Sequence, residues 1–195
     1  DVLILVELMS IDDFGVLVEP IRAPTTKTGL PTTLQDVASG KVSLNQIVNL
    51  DTFKQDLLIR MLTGDIDAGH NLGNYLLIRA GTAETGKPRY FAMIIDFGAG
   101  NVLSPITRPL DTIIDNSIPF VLRDHIVYDD VRPMVERVKA LDDAFLESIA
   151  SDLVDRGIYN EEHKSVMLDT LKTRRDTLEQ ALKAKLPIKR QTPDE

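Results

Sequence analysis

Apolar residues along this 195-residue chain recur with two periods, and the change from one to the other divides it into elements. From Asn49, the positions Leu50, Phe53, Leu57, Leu58, Met61 and Leu62 return at spacings of three and four, which predicts an amphipathic helix ending just before Gly64. The runs Tyr75–Ile78 and Tyr90–Ile95 flank a Gly-, Thr- and Lys-rich stretch from Gly81 to Pro88, which predicts a β-hairpin. From about Ile126 the helical period returns. It predicts helices over Val131–Ala140, over Asp142–Arg156 with Leu141, Phe145, Ile149 and Leu153 on one face and a stop at Gly157, and from Asn160 to about Lys185.

The remaining segments are shorter. Val2–Met9 and Phe14–Ile21, separated by Ser10-Ile11-Asp12-Asp13, read as a strand pair. Residues 23–33 have no period and two prolines, so a loop is expected. Leu34–Ser39 reads as a short helix stopped by Gly40, and Ser43 with Gln46 three residues on reads as a capping box. Residues 99–119, with three prolines, are expected to be irregular, and the tail from Pro187 to Glu195 to fray.

Composition narrows what such a chain could do. Without cysteine there is no disulfide, thiolate catalysis or Cys-ligated zinc. A net charge of −8 and the absence of Trp argue against a nucleic-acid surface, which needs a basic face and stacking platforms. No window approaches the roughly 18 to 20 apolar residues of a membrane span, so a soluble protein is expected.

The chemistry concentrates where helix meets hairpin. The polar stretch Thr63-Gly-Asp-Ile-Asp-Ala-Gly-His-Asn-Leu-Gly-Asn74 leads into the first strand, and the second strand closes on Ile95-Asp96-Phe97-Gly98. Asn74 opens the outgoing strand and Asp96 ends the returning one, so antiparallel pairing brings them to the same end of the hairpin. Transfer of the terminal phosphoryl of ATP needs Mg²⁺ held by hard oxygen ligands, which Asn74 and Asp96 would supply, and a carboxylate beside the acceptor hydroxyl. Asp67, in preference to Asp65, is the candidate for that base; Asp65 reads as a turn residue at the helix end. His70 reads equally as a phosphate contact or as an exposed loop histidine. Lys172, Arg174, Arg175, Lys183, Lys185, Lys189 and Arg190 are interrupted by Asp169, Asp176 and Glu179, and read as a solvated helix face.

Helix, Asp- and Asn-bearing loop, hairpin and Ile-Asp-Phe-Gly turn together resemble, from Phe53 to Gly98, the catalytic core of the protein-kinase-like superfamily, nearest its HipA-like and phosphatidylinositol 3/4-kinase-like branches. The C-terminal helices are similar to the helical tail of HipA-like kinases. The resemblance implies an α+β fold: a kinase-like C-terminal lobe, mostly α-helical, with a short catalytic β-hairpin and a C-terminal helical extension. It implies the end of a small lobe and a hinge strand at 1–22, the large-lobe core at 23–125, a helical subdomain at 126–186 and a flexible tail at 187–195. Within it, Asp67 would be the catalytic Asp, Asn74 and Asp96 the metal and nucleotide ligands, and Val18 and Glu19 the hinge contacts to adenine. The implied activity is an ATP- and Mg-dependent kinase acting most naturally on a protein hydroxyl, with a lipid or small alcohol, or a pseudokinase-type nucleotide-binding or interaction module, as alternatives. A cytoplasmic setting is what an ATP-using activity would suit.

Two departures stand beside the resemblance. The family's catalytic Asp precedes its Asn by five positions, whereas Asp67 precedes Asn74 by seven and Gly69 stands at the five-back position. No Gly-rich phosphate loop or strand Lys occurs in the chain, so a small lobe or a partner chain is expected to complete the nucleotide cleft.

Overall fold

A computed structural model describes residues 31–65, 69–95, 108–157 and 159–189. The fold is α+β, mostly helical with one two-stranded antiparallel sheet. It divides into two compact units, one formed by residues 31–50 and 72–95, the other by residues 51–65, 69–71, 108–157 and 159–189. The expected strand pair at 2–21 lies outside the described residues.

In the first unit, helix α1 (Leu34–Ala38) opens on a reciprocal cap. The Thr33 hydroxyl accepts from the Gln35 amide at 3.2 Å and the Asp36 carboxylate accepts from the Thr33 amide at 3.1 Å. Gly40, at φ +75°, turns the chain after it, where a side chain would be strained. The Ser43 amide then donates to Gln46 Oε1 at 2.9 Å around a single 3₁₀ turn, Leu44–Gln46.

Strands β1 (Tyr75–Thr82) and β2 (Pro88–Ile94) pair from Tyr75↔Ile94 to Thr82↔Pro88. They run further, and the turn between them is shorter, than the sequence predicts. Gly81 forms no part of the turn; the register shifts between Arg79 and Gly81, a bulge that takes up the glycine's φ of +133°. The turn itself is closed by the Ala83 amide on Lys87 O at 2.8 Å and the Gly86 amide on Ala83 O at 2.9 Å. Leu34, Val42, Ile47, Leu72, Tyr75, Leu77 and Ala92 are the buried apolar residues of this unit.

The second unit is helical. Helix α2 (Leu50–Thr63) buries Phe53, Leu57, Leu58 and Met61, as its period predicts. Helix α3 (Leu110–Ser117) lies in the stretch expected to be irregular. Pro109 and Pro119, the two that lie among the described residues, flank the helix and do not interrupt it. Pro109 caps it, with its φ of −51° already suited to the first turn, Pro119 follows it, and Ile113, Ile114 and Ser117 are buried between them. Pro119 leads into a 3₁₀ segment, Phe120–His125, that buries Leu122.

Helices α4 (Tyr128–Lys139), α5 (Asp143–Asp155) and α6 (Glu161–Lys185) follow within a few residues of the predicted bounds. The Asp142 carboxylate accepts from the Phe145 amide at 2.6 Å, and Asn160 Oδ1 from the His163 amide at 2.8 Å, fixing the starts of α5 and α6. The buried face of α5 differs from expectation. Leu146 and Ala150 are buried while Phe145 is 39% exposed, so the packed stripe lies one residue further round the helix than the largest side chains suggest. On α6 the stripe is Met167, Leu171, Leu178 and Leu182. Among the described residues, no helix is long and apolar enough to cross a membrane.

Candidate functional site

The loop between α2 and the hairpin is held firmly at its start. Gly64, at φ +79°, ends α2, and the Asp65 amide turns back to Arg60 O at 2.9 Å. The Asp65 carboxylate forms an ion pair with the Arg60 guanidinium, and both side chains are almost wholly out of water. Ser117 Oγ, from the last turn of α3, donates to Asp65 O at 2.6 Å. Asp65 thus acts as an internal counter-ion, the structural part its place at the helix end suggests, and is not presented to an acceptor.

Arg174 holds the same point from α6. Its Nη1 donates to Leu62 O at 2.9 Å, satisfying one of the carbonyls that the end of α2 leaves open. The guanidinium lies so close to Gly64 that a Cβ there would stand 2.6 Å from Nη1 and 2.7 Å from Nη2, so a side chain at Gly64 would push the Arg174 head group aside as well as strain the backbone at φ +79°.

Arg174 departs from the reading of the basic residues as a solvated face. Arg174 is 5% exposed, and burial lowers its pKa. Arg175 donates to Leu141 O at 2.8 Å and pairs with Asp176 and Asp143, both at 2.7 Å, which hold it protonated. Lys183 and Lys185 do lie at the surface, paired with Glu179 and Asp115. Arg190 lies outside the described residues. The sequence carried a signal for Arg174: it falls in phase with Met167, Leu171, Leu178 and Leu182, on the buried stripe. Charge counting along the helix misses what helical phase reveals.

The far side of the loop is pinned by its backbone. The Gly69 amide donates to Asn116 O at 2.6 Å, and Gly69 O accepts from the Phe120 amide at 3.2 Å. A Cβ on Gly69 would stand 2.9 Å from the Asn116 carbonyl carbon and 3.0 Å from Ile118 O, so the position five before Asn74 admits no side chain. His70 and Asn71, next along, are exposed. Asp67 lies outside the described residues.

At the hairpin, Asn74 ends a 3₁₀ turn, Leu72–Asn74, and is half-buried. Its carbonyl accepts from the Ile95 amide at 3.0 Å, one step beyond the Tyr75↔Ile94 pair. The hairpin therefore brings Asn74 against the residue that precedes Asp96 in the sequence. Asp96 itself, with Phe97 and Gly98, lies outside the described residues, as do Val18 and Glu19. Among the described residues, no group of three or more His, Cys, Asp or Glu side chains is placed to hold a metal.

Comparison with family models, with curated proteins and with solved structures finds no match to the chain.

Proposed function

We propose that this chain is the large lobe of an ATP- and Mg-dependent phosphotransferase of the kinase-like kind, with a protein hydroxyl as acceptor. The observation that carries the reading is the hydrogen bond from the Ile95 amide to Asn74 O, which ties together the two strand ends bearing the candidate metal ligands. Asn74 offers an amide oxygen and Asp96 would add a carboxylate, a hard-oxygen pair of the kind magnesium takes. The bound ion would neutralise charge on the phosphates. Asp67 would orient the acceptor hydroxyl and take its proton, and His70, exposed beside it in sequence, is available to a phosphate oxygen. A small lobe or a partner chain would close over the adenine.

Gly69 favours a second reading. Because the position five before Asn74 admits no side chain, a base in the usual register is sterically closed, and a nucleotide-binding module without turnover fits that loop equally well.

Calorimetric titration of the full-length protein with ATP, with and without Mg²⁺, tests both readings. Magnesium-dependent binding that disappears in Asp96→Ala is the expected result. Asp67→Ala should retain binding but lose turnover by about 10²- to 10⁴-fold. Binding without turnover in the unmodified protein selects the second reading. If Asp96→Ala binds as well as the parent, the site assignment is wrong.

A further inference from the structure

In the helical unit a cleft of about 350 Å³ opens between the start of α3 and the middle of α6. Its volume is that of a small-molecule site. Arg108 and Leu110 line one side, and Asp169, Thr170, Thr173 and Arg174 the other. Two guanidinium groups against one carboxylate leave the lining net positive.

Arg174 gives the cleft its chemical character. It is buried, and its one hydrogen bond among the described residues goes to a neutral carbonyl, Leu62 O. Among the described residues no carboxylate lies within ion-pairing distance of it, so a buried cation stands without a counter-ion beside an open space. Such a group is costly unless compensated, and its lowered pKa expresses the same cost. Arg108, exposed on the opposite wall, is likewise outside every ion pair among the described residues. Helix α3 begins at Leu110 on the same wall; its Thr112 amide already donates to Pro109 O at 3.0 Å, which leaves the Leu110 and Asp111 amides without a helical acceptor. The Thr170 and Thr173 hydroxyls add neutral donors.

The geometry points to a binding site for a phosphomonoester in this cleft, the phosphoryl group set between Arg108 and Arg174 and the remainder of a small molecule filling the rest. Two arginines, hydroxyls and a helix start match a tetrahedral dianion better than a planar carboxylate. The site shares no residue with those assigned to ATP and magnesium. Its occupant would touch Arg174, which also holds the end of α2 through Leu62 O.

The test uses inorganic phosphate as probe, at constant ionic strength, followed by thermal shift and calorimetry on the full-length protein. Phosphate should raise Tm by several degrees where acetate does not. Arg108→Ala and Thr173→Val, both at exposed positions, should fold normally, and Arg108→Ala should weaken phosphate about tenfold or more. Asp96→Ala should leave the phosphate response intact, which separates this cleft from the proposed nucleotide site. The inference fails if phosphate produces no shift, if acetate matches it, if Arg108→Ala responds like the parent, or if Asp96→Ala abolishes the response.

Discussion

Inside the hairpin unit and inside the helical unit, the buried bonds are of different kinds. Every buried polar or charged side chain among the described residues, namely Lys54, Arg60, Thr63, Asp65, Ser117, Thr170 and Arg174, belongs to the helical unit. There Lys54 meets Asp130 at 2.9 Å with only 1% of its side chain exposed, and Arg60 meets Asp65 deeper still. In the hairpin unit the charged contacts, Asp36 with the Thr33 amide and with Lys41, lie towards the surface, and the bond that ties its β2 strand inward is between neutral groups. Asn49 bonds both backbone groups of Ala92, its Oδ1 accepting at 2.8 Å and its Nδ2 donating at 2.9 Å. Buried charges specify one arrangement and fail abruptly when a partner is lost, whereas neutral amide bonds each contribute modestly and fail singly.

The sharpest way to break this contrast is Asp65→Ala. It removes the carboxylate that pairs with the buried Arg60 guanidinium, and should cost about 3 to 5 kcal/mol in denaturant unfolding. The double variant Arg60→Met with Asp65→Leu should recover most of that loss, because it removes the buried charge together with the carboxylate that answers it. In the hairpin unit, Asn49→Ala removes two hydrogen bonds and should cost about 1 to 3 kcal/mol, with faster hydrogen exchange at the Ala92 amide. The smallest effect is at Asp56, whose pKa burial raises to about 6. A carboxyl with a folded pKa above its unfolded one adds stability at pH below the unfolded value and loses it as pH rises through about 6. Asp56→Asn should therefore stabilise the protein at pH 7 relative to pH 4. The gain, discounted for partial exposure, is about 1 kcal/mol in paired melts at the two pH values.

Much of the architecture was legible because single strong periods announced it. Helix α2 and the three C-terminal helices follow from apolar spacing, and Gly40, Gly64 and Gly157 stand where positive φ ends an element. Helix α3 was hidden because prolines were read as interruptions when they are boundaries, although Leu110, Ile113 and Ile114 carry a helical phase. Gly81 was read as turn because glycine in a bulge and glycine in a turn look alike in sequence. At the candidate site, the meeting of Asn74 with the end of β2 follows from hairpin logic alone. The clasp on Gly69 does not, since its partners Asn116 and Phe120 lie about fifty residues away and are joined to it through backbone atoms that leave no trace in side-chain chemistry.

A two-stranded sheet has two open margins, each able to recruit a strand from another molecule. In this protein the β2 margin is occupied from Pro88 to Ala92. Pro88 O accepts from Gln46 Nε2 and Tyr90 O from the Val48 amide, each at 2.8 Å, and Asn49 takes both groups of Ala92. Pro88 has no amide to offer. On the β1 margin Thr32 O accepts from the Leu77 amide at 2.8 Å. Short segments of the chain's own backbone and two amide side chains thus stand at these positions where flanking strands would, on the strand that carries exposed Phe91.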